Sequence, residues 1–123
     1  EIVTVNDNKL TSLDHFPKEV RDLDIRNNLL TSLHDVHKKF PNLTEIYFFG
    51  NPIKECILGL CLIPNLKKIV ADPFDPEHKT KPNSKELDRA IEIINKHLGK
   101  GKSGMIDAQA ELIENDLDDF ADV

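Results

Sequence analysis

The sequence predicts an α/β solenoid: a short array of three repeats plus a degenerate fourth, with a parallel concave sheet, a C-terminal capping helix and an acidic amphipathic tail helix. The first observation behind this is a motif written three times. Val3-x-Val5-x-x-Asn8-x-Leu10-x-x-Leu13 recurs as Leu23-x-Ile25-x-x-Asn28-x-Leu30-x-x-Leu33 and as Ile46-x-Phe48-x-x-Asn51-x-Ile53-x-x-Cys56. The asparagines stand 20 and then 23 residues apart, a period at which like units stack on one another. The second observation is the last segment, residues 105–123, which holds seven acids and no base.

Each unit opens with a short strand whose alternate apolar residues, Leu23 and Ile25 or Ile46 and Phe48, enter one narrow core. Asn8, Asn28 and Asn51 fall where the chain must leave the strand and turn. A side-chain amide there donates and accepts to backbone groups that would otherwise be buried unpaired. No unit buries its own apolar face, so at least three must stack. Leu66-x-x-Ile69-x-Ala71 repeats the strand spacing once more, but Phe74 stands where asparagine is expected. Pro73 and Pro76 flank it, and proline at that density ends the ladder.

The L-x-x-L-x-L-x-x-N-x-L pattern resembles the leucine-rich repeat family over residues 2–74. Asn51-Pro52 through Cys56, Leu60 and Ile63-Pro64-Asn65-Leu66 to Ile69 is similar to the C-terminal cap of SDS22-like members, with Cys56-Ile57 where those caps tend to carry an aromatic and a basic residue. Phe40-Pro41-Asn42-Leu43 is of the same type, whereas Phe16-Pro17-Lys18-Glu19-Val20 looks like the short bacterial repeat. The resemblance implies a scaffold that presents a surface to a protein partner.

Composition fits one small core plus additions, since 39% of 123 residues are apolar. Residues 1–74 form the repeat region with its cap, 75–99 a linker and capping helix, and 100–123 a flexible linker and acidic tail. The longest apolar run, Cys56 to Ile63, is broken by Gly59 and is too short to span a bilayer. The chain opens at Glu1, which leaves room for a removed leader or N-terminal cap. Cys56 and Cys61 are five apart, a spacing that suits neither a zinc site nor a disulfide, so free thiols in a reducing compartment are expected.

After the proline-bracketed linker 75–83, Asn83 or Ser84 can cap a helix, with Glu86 three residues after Asn83. Leu87, Ala90, Ile91, Ile94 and Leu98 mark its apolar face and Gly99 ends it. Lys100-Gly101-Lys102-Ser103-Gly104 lacks the upstream glycine and strand of a phosphate loop and reads as a flexible basic linker. The seven tail acids account for more than the whole net charge of −6, leaving +1 for residues 1–104. Ile106, Ala110, Ile113, Leu117 and Phe120 fall at helical spacing among them. A helix that short needs a host surface, which is this chain's own, a partner's groove or a second copy.

Catalysis has little to stand on. His34 and His37 lack a third ligand, and Asp14-His15 lies on a loop with no placed nucleophile, so no enzyme activity, cofactor or metal is expected. The lysines between Lys79 and Lys102 alternate with acids and lack stacking aromatics, which disfavours nucleic acid, and the acidic tail disfavours a membrane surface. The residues alternating with the core positions form outward rows: Asp22, Glu45, Lys68; Thr4, Asp24, Tyr47, Val70; Asn6, Arg26, Phe49, Asp72. Tyr47 and Phe49 beside Arg26, ringed by charge, have the composition of an interface hot spot. A partner-binding set of Asp24, Arg26, Tyr47, Phe49, Val70 and Asp72 on the sheet, with Ile113, Leu117 and Phe120 on the tail, follows. The expected function is protein–protein interaction, as a cytoplasmic adaptor or a pathogen-type effector acting in host cytosol. The alternative is a chaperone of basic proteins such as histones, with a nuclear location, because a capped SDS22-like solenoid with an acidic tail resembles the acidic leucine-rich nuclear phosphoproteins, although their acid runs are long and uninterrupted and this one is short and interleaved with apolar residues; an enzyme is a distant third.

Overall fold

The structure, a computed structural model, describes residues 2–5, 8–67, 69 and 82–123. Three short strands, β1 (Ile2–Thr4), β2 (Asp22–Asp24) and β3 (Glu45–Tyr47), form an open parallel sheet in that order. Val3, Leu23 and Ile46 are in register across it, which is the alignment of the three motif copies. Leu23, Ile25, Ile46 and Phe48 are all buried, as period-two alternation requires. Just past each of the second and third strands the chain turns through the left-handed region, at Asn27 (φ 56°) and Gly50 (φ 82°). Those turns aim the next residues, Asn28 and Asn51, into the core.

Both amides are buried and stitch one motif copy to the one before. Asn28 donates to the carbonyls of Val5 (2.8 Å) and Ile25 (3.0 Å) and accepts from the Leu10 amide (3.1 Å). Asn51 donates to Ile25 and Phe48 (both 2.9 Å) and accepts from Leu30 (3.1 Å). Asn8 is exposed, at the outer side of the first copy.

The α/β solenoid expected from the motif is corrected. The described residues form a small open sheet of three strands with three helices, without an array of stacked repeats or a concave sheet. Two physical reasons stand out. The described sheet has only three strands, so it is too narrow to make an extended concave surface. The units of a solenoid touch only their neighbours in sequence, whereas here the end of the chain returns to the middle. The amides of Cys56, Ile57 and Leu58 donate to the carbonyls of Asp119, Phe120 and Asp122, and that of Asp35 donates to Val123. Of the degenerate fourth copy, Lys68, Val70, Asp72 and Phe74 lie outside the described residues.

Helix α1 (Val36–Lys39) is one turn, and a 3-10 segment, Leu58–Leu62, follows the third copy. Helix α2 (Lys85–Lys96) begins where the Ser84 hydroxyl accepts from the Leu87 amide at 3.1 Å. Asn83, the alternative cap, instead accepts from the Gly50 amide at 3.2 Å. The expected face of α2 is buried, with Ile93 added, and Gly99 (φ 73°) follows it. Helix α3 (Gly101–Glu114) takes in the residues expected as a flexible linker. Its first turn passes so close to the end of α2 that a Cβ on Gly104 would stand 2.5 Å from the His97 carbonyl. Glu111 on α3 is paired with Lys96 of α2 and with His97 just past its end.

The tail stripe is split. Asp116 turns left-handed (φ 59°), with the Leu117 amide bonded to the Leu112 carbonyl and the Asp116 amide to Ile113, a Schellman end to α3. Upstream of that turn the buried face is Gly104, Ala108 and Leu112, while Ile106, Ala110 and Ile113 point outward. Downstream, Leu117, Phe120 and Ala121 are buried in the main core.

Replacing Asn28 with alanine strands several buried backbone groups and is expected to cost about 1–3 kcal/mol in chemical denaturation. Asn8→Ala should cost less, and equal effects would contradict this role of the amides. Phe120→Ala should destabilise the whole domain by about 3–5 kcal/mol, because the tail is core. Amide exchange at Cys56, Ile57 and Leu58 then rises with the global unfolding rate, not ahead of it.

Candidate functional site

The outward residues of β2 and β3 make the candidate face. Alternation turns Asp22, Asp24, Glu45 and Tyr47 away from the core, and the left-handed turn at Asn27 leaves Arg26 beside them. Arg26 forms a two-pronged pair with Asp24, Nε to Oδ1 at 3.0 Å and Nη2 to Oδ2 at 2.8 Å. Its guanidinium carbon also sits 5.6 Å from the centre of the Tyr47 ring, within cation–π range. The Tyr47 hydroxyl donates to Glu45 (3.3 Å), and the Thr44 hydroxyl to Asp22 (3.1 Å). A cleft of about 330 Å³ runs along this face between Ile2, Thr4, Asp22, Arg26, Glu45 and Tyr47.

The structure thus gathers Asp24, Arg26 and Tyr47, but not as a protruding hot spot. Arg26 is only 6% exposed, locked between a carboxylate and a ring. Breaking such a pair would leave a charge buried without its partner, so the arrangement is rigid. Phe49 is half-buried and stacked on Phe48, with centroids 5.8 Å apart and planes 18° off parallel. Three carboxylates against one guanidinium make the described part of the face acidic. Val70 and Asp72, expected on the same face, lie outside the described residues.

The tail residues part company. Ile113 is 50% exposed on α3, but Leu117 and Phe120 are 3% and 5% exposed inside the core, so they cannot also meet a partner. What sequence reasoning missed was Asn115-Asp116. An Asn-Asp pair suits a left-handed helix end and resets which side of the chain faces inward.

Cys56 and Cys61 carry free thiols, and burial pushes the Cys61 thiol up to about 12, where it is inert near neutrality. His34 Nδ1 lies 3.1 Å from the Val123 carbonyl and Nε2 3.1 Å from Asp35, so it holds the tail. His37 has a buried Nδ1 against Gly59 with no hydrogen-bond partner among the described residues, and burial depresses its pKa. Among the described residues no group of three or more His, Cys, Asp or Glu is placed to hold a metal ion, and no helix is long and apolar enough to cross a membrane. No protein-family model matches the chain, and neither a curated protein nor a solved structure matches it.

The Tyr47 phenol reports on this face. Partial burial raises its pKa, and the neighbouring carboxylates of Glu45, Asp22 and Asp24 raise it further. With one tyrosine and no tryptophan in the chain, the phenolate absorbance belongs to this ring alone. Its midpoint should lie above the ordinary value of about 10. Glu45→Gln removes a negative charge and should lower that midpoint, while an unmoved midpoint would separate Tyr47 from Glu45.

Proposed function

We propose that the protein is a protein-interaction module whose docking face is the outward side of β2 and β3. The observation that carries this reading is the Asp24–Arg26–Tyr47 assembly, whose side chains are held in place before any partner arrives. A preorganised aromatic and guanidinium surface loses little conformational entropy on binding and is the composition favoured in interface centres. The acidic rim of Asp22, Asp24 and Glu45 selects a partner surface that is basic and presents an apolar group to Tyr47. The resemblance of the three asparagine-marked copies to leucine-rich repeats supports the same reading, and a cytoplasmic adaptor or effector role belongs to the proposal. The chaperone alternative needs a free polyacidic tail. Its support is weaker, because residues 105–123 are anchored in the core through Ala108, Leu112, Leu117, Phe120 and Ala121.

The experiment is affinity capture from the source cell or its host, with quantitative mass spectrometry, comparing the wild-type chain with Tyr47→Ala, Phe49→Ala. A true partner should bind the double variant weaker by about 2 kcal/mol or more. The variant's melting transition must stay cooperative for the comparison to count, and Tyr47→Ala alone avoids disturbing the Phe48–Phe49 stack. Partners retained undiminished by both variants would move the interface off this face.

A further inference from the structure

Helices α2 and α3 are built differently. The apolar face of α2, from Leu87 to Ile94, is wholly buried. Helix α3 has two apolar faces. Gly104, Ala108 and Leu112 lie against the core, and Ile106, Ala110 and Ile113 line up on the side turned away from it. Ile106 and Ile113 are 53% and 50% exposed. Seven residues separate them, about 10 Å along a helix axis, and Ala110 leaves a shallow notch between. Scattered exposed apolar residues are ordinary, but these two share one helical row that the fold itself does not use.

Acids flank that row along one side and at its C-terminal end, while Lys102 stands one turn before Ile106 at its N-terminal end. Helical spacing sets Asp107 and Glu114 along one flank, and Asp116 at its C-terminal end. All three are exposed and make no ion pair among the described residues, unlike Glu111, which Lys96 and His97 occupy. No base follows Lys102 in the chain. A second copy packed antiparallel about the middle of the row would bring Asp107 of one helix against Glu114 of the other, and like charges so placed repel. A helix with basic flanks meets the same rim favourably.

We propose that the outer face of α3 is a second docking site, taking a basic amphipathic helix of a protein partner. A large aliphatic side chain of that helix sits over Ala110 between Ile106 and Ile113, and its Lys or Arg residues face Asp107, Glu114 and Asp116. This is helix-on-helix recognition through spaced apolar anchors. It stands apart from the sheet-face reading, since no residue is shared.

The test titrates a short amphipathic helical peptide of leucine and lysine into the full isotope-labelled chain, beside a leucine–glutamate peptide of the same apolar pattern. The leucine–lysine peptide should bind, with amide shift changes centred on residues 106–114. Ile106→Gln, Ile113→Gln should weaken it about tenfold or more, and Asp107→Lys, Glu114→Lys by a similar factor. Tyr47→Ala, Phe49→Ala should leave it unchanged, which separates this site from the sheet face. Equal binding of the glutamate peptide, shift changes elsewhere, or indifference to the isoleucine changes would overturn the proposal. So would a concentration-dependent dimer in sedimentation that Ile113→Gln abolishes, because a second copy would then cover the face.

Discussion

Everything here depends on two buried side-chain amides. Strands of three residues supply few ladder hydrogen bonds, and beyond their ends the backbone would enter the core with its polar groups unpaired. Asn28 and Asn51 take over where the ladder stops, each reaching carbonyls of its own copy and the neighbouring one. The left-handed residue just before each amide gives it that reach, and Gly50 is there because a Cβ would stand 2.2 Å from the Asn27 side chain. With the register so fixed, Leu23 and Ile46 point inward. Asp24, Arg26 and Tyr47 must then share the other side, so the candidate face is a by-product of satisfying the backbone.

The second constraint is closure. The segment from Ile57 to Ile63 is wholly apolar except for Gly59 and Cys61, and a sheet this small leaves it without a cover of its own. Helix α3 and the turn after it supply that cover through Leu112, Leu117, Phe120 and Ala121, all buried. The acids of the same segment mostly face water. Their role is the ordinary one of the polar side of a packed element, and the net charge of the tail is consistent with a structural part of the domain. The Lys96–Glu111–His97 cluster then joins α3 to α2. The neighbours of Glu111 hold its carboxyl below the usual range, so its contribution is present above the ordinary glutamate pKa and fades as pH falls through the depressed value.

Local rules with short reach were legible in the sequence. The motif copies gave the strand register, the spacing from Leu87 to Leu98 gave the face of α2, and a serine before the helix gave its cap. What was not legible depends on tertiary context. A period near 20 residues says which strands align, but not whether the product is a long stack or a small sheet closed by its own tail. The stripe from Ile106 to Phe120 has unbroken helical spacing, yet one left-handed residue at Asp116 divides it into an outward and an inward part. Helical periodicity cannot see that division, because it is set by which hydrogen bonds end the helix. The burial of Arg26 was hidden for a similar reason, since its partners Asp24 and Tyr47 come from different strands.

The two candidate faces differ in how their energy is held. On the sheet the polar groups are already paired, so a partner must match fixed charges and gains mainly from covering Tyr47 and the cleft beside it. On α3 the apolar groups are exposed and, among the described residues, Asp107, Glu114 and Asp116 make no ion pair, so the proposed partner would gain both burial and charge complementarity. The first kind of surface discriminates strongly, because a mismatched partner leaves desolvated carboxylates without donors. The second is more permissive, since aliphatic contact over Ile106 and Ile113 tolerates many shapes and rim charge chiefly sets the rate of encounter. Under the two proposals, a selective face and a permissive one share a scaffold fixed by two amides and closed by its own tail, and the domain would hold two different molecules at once.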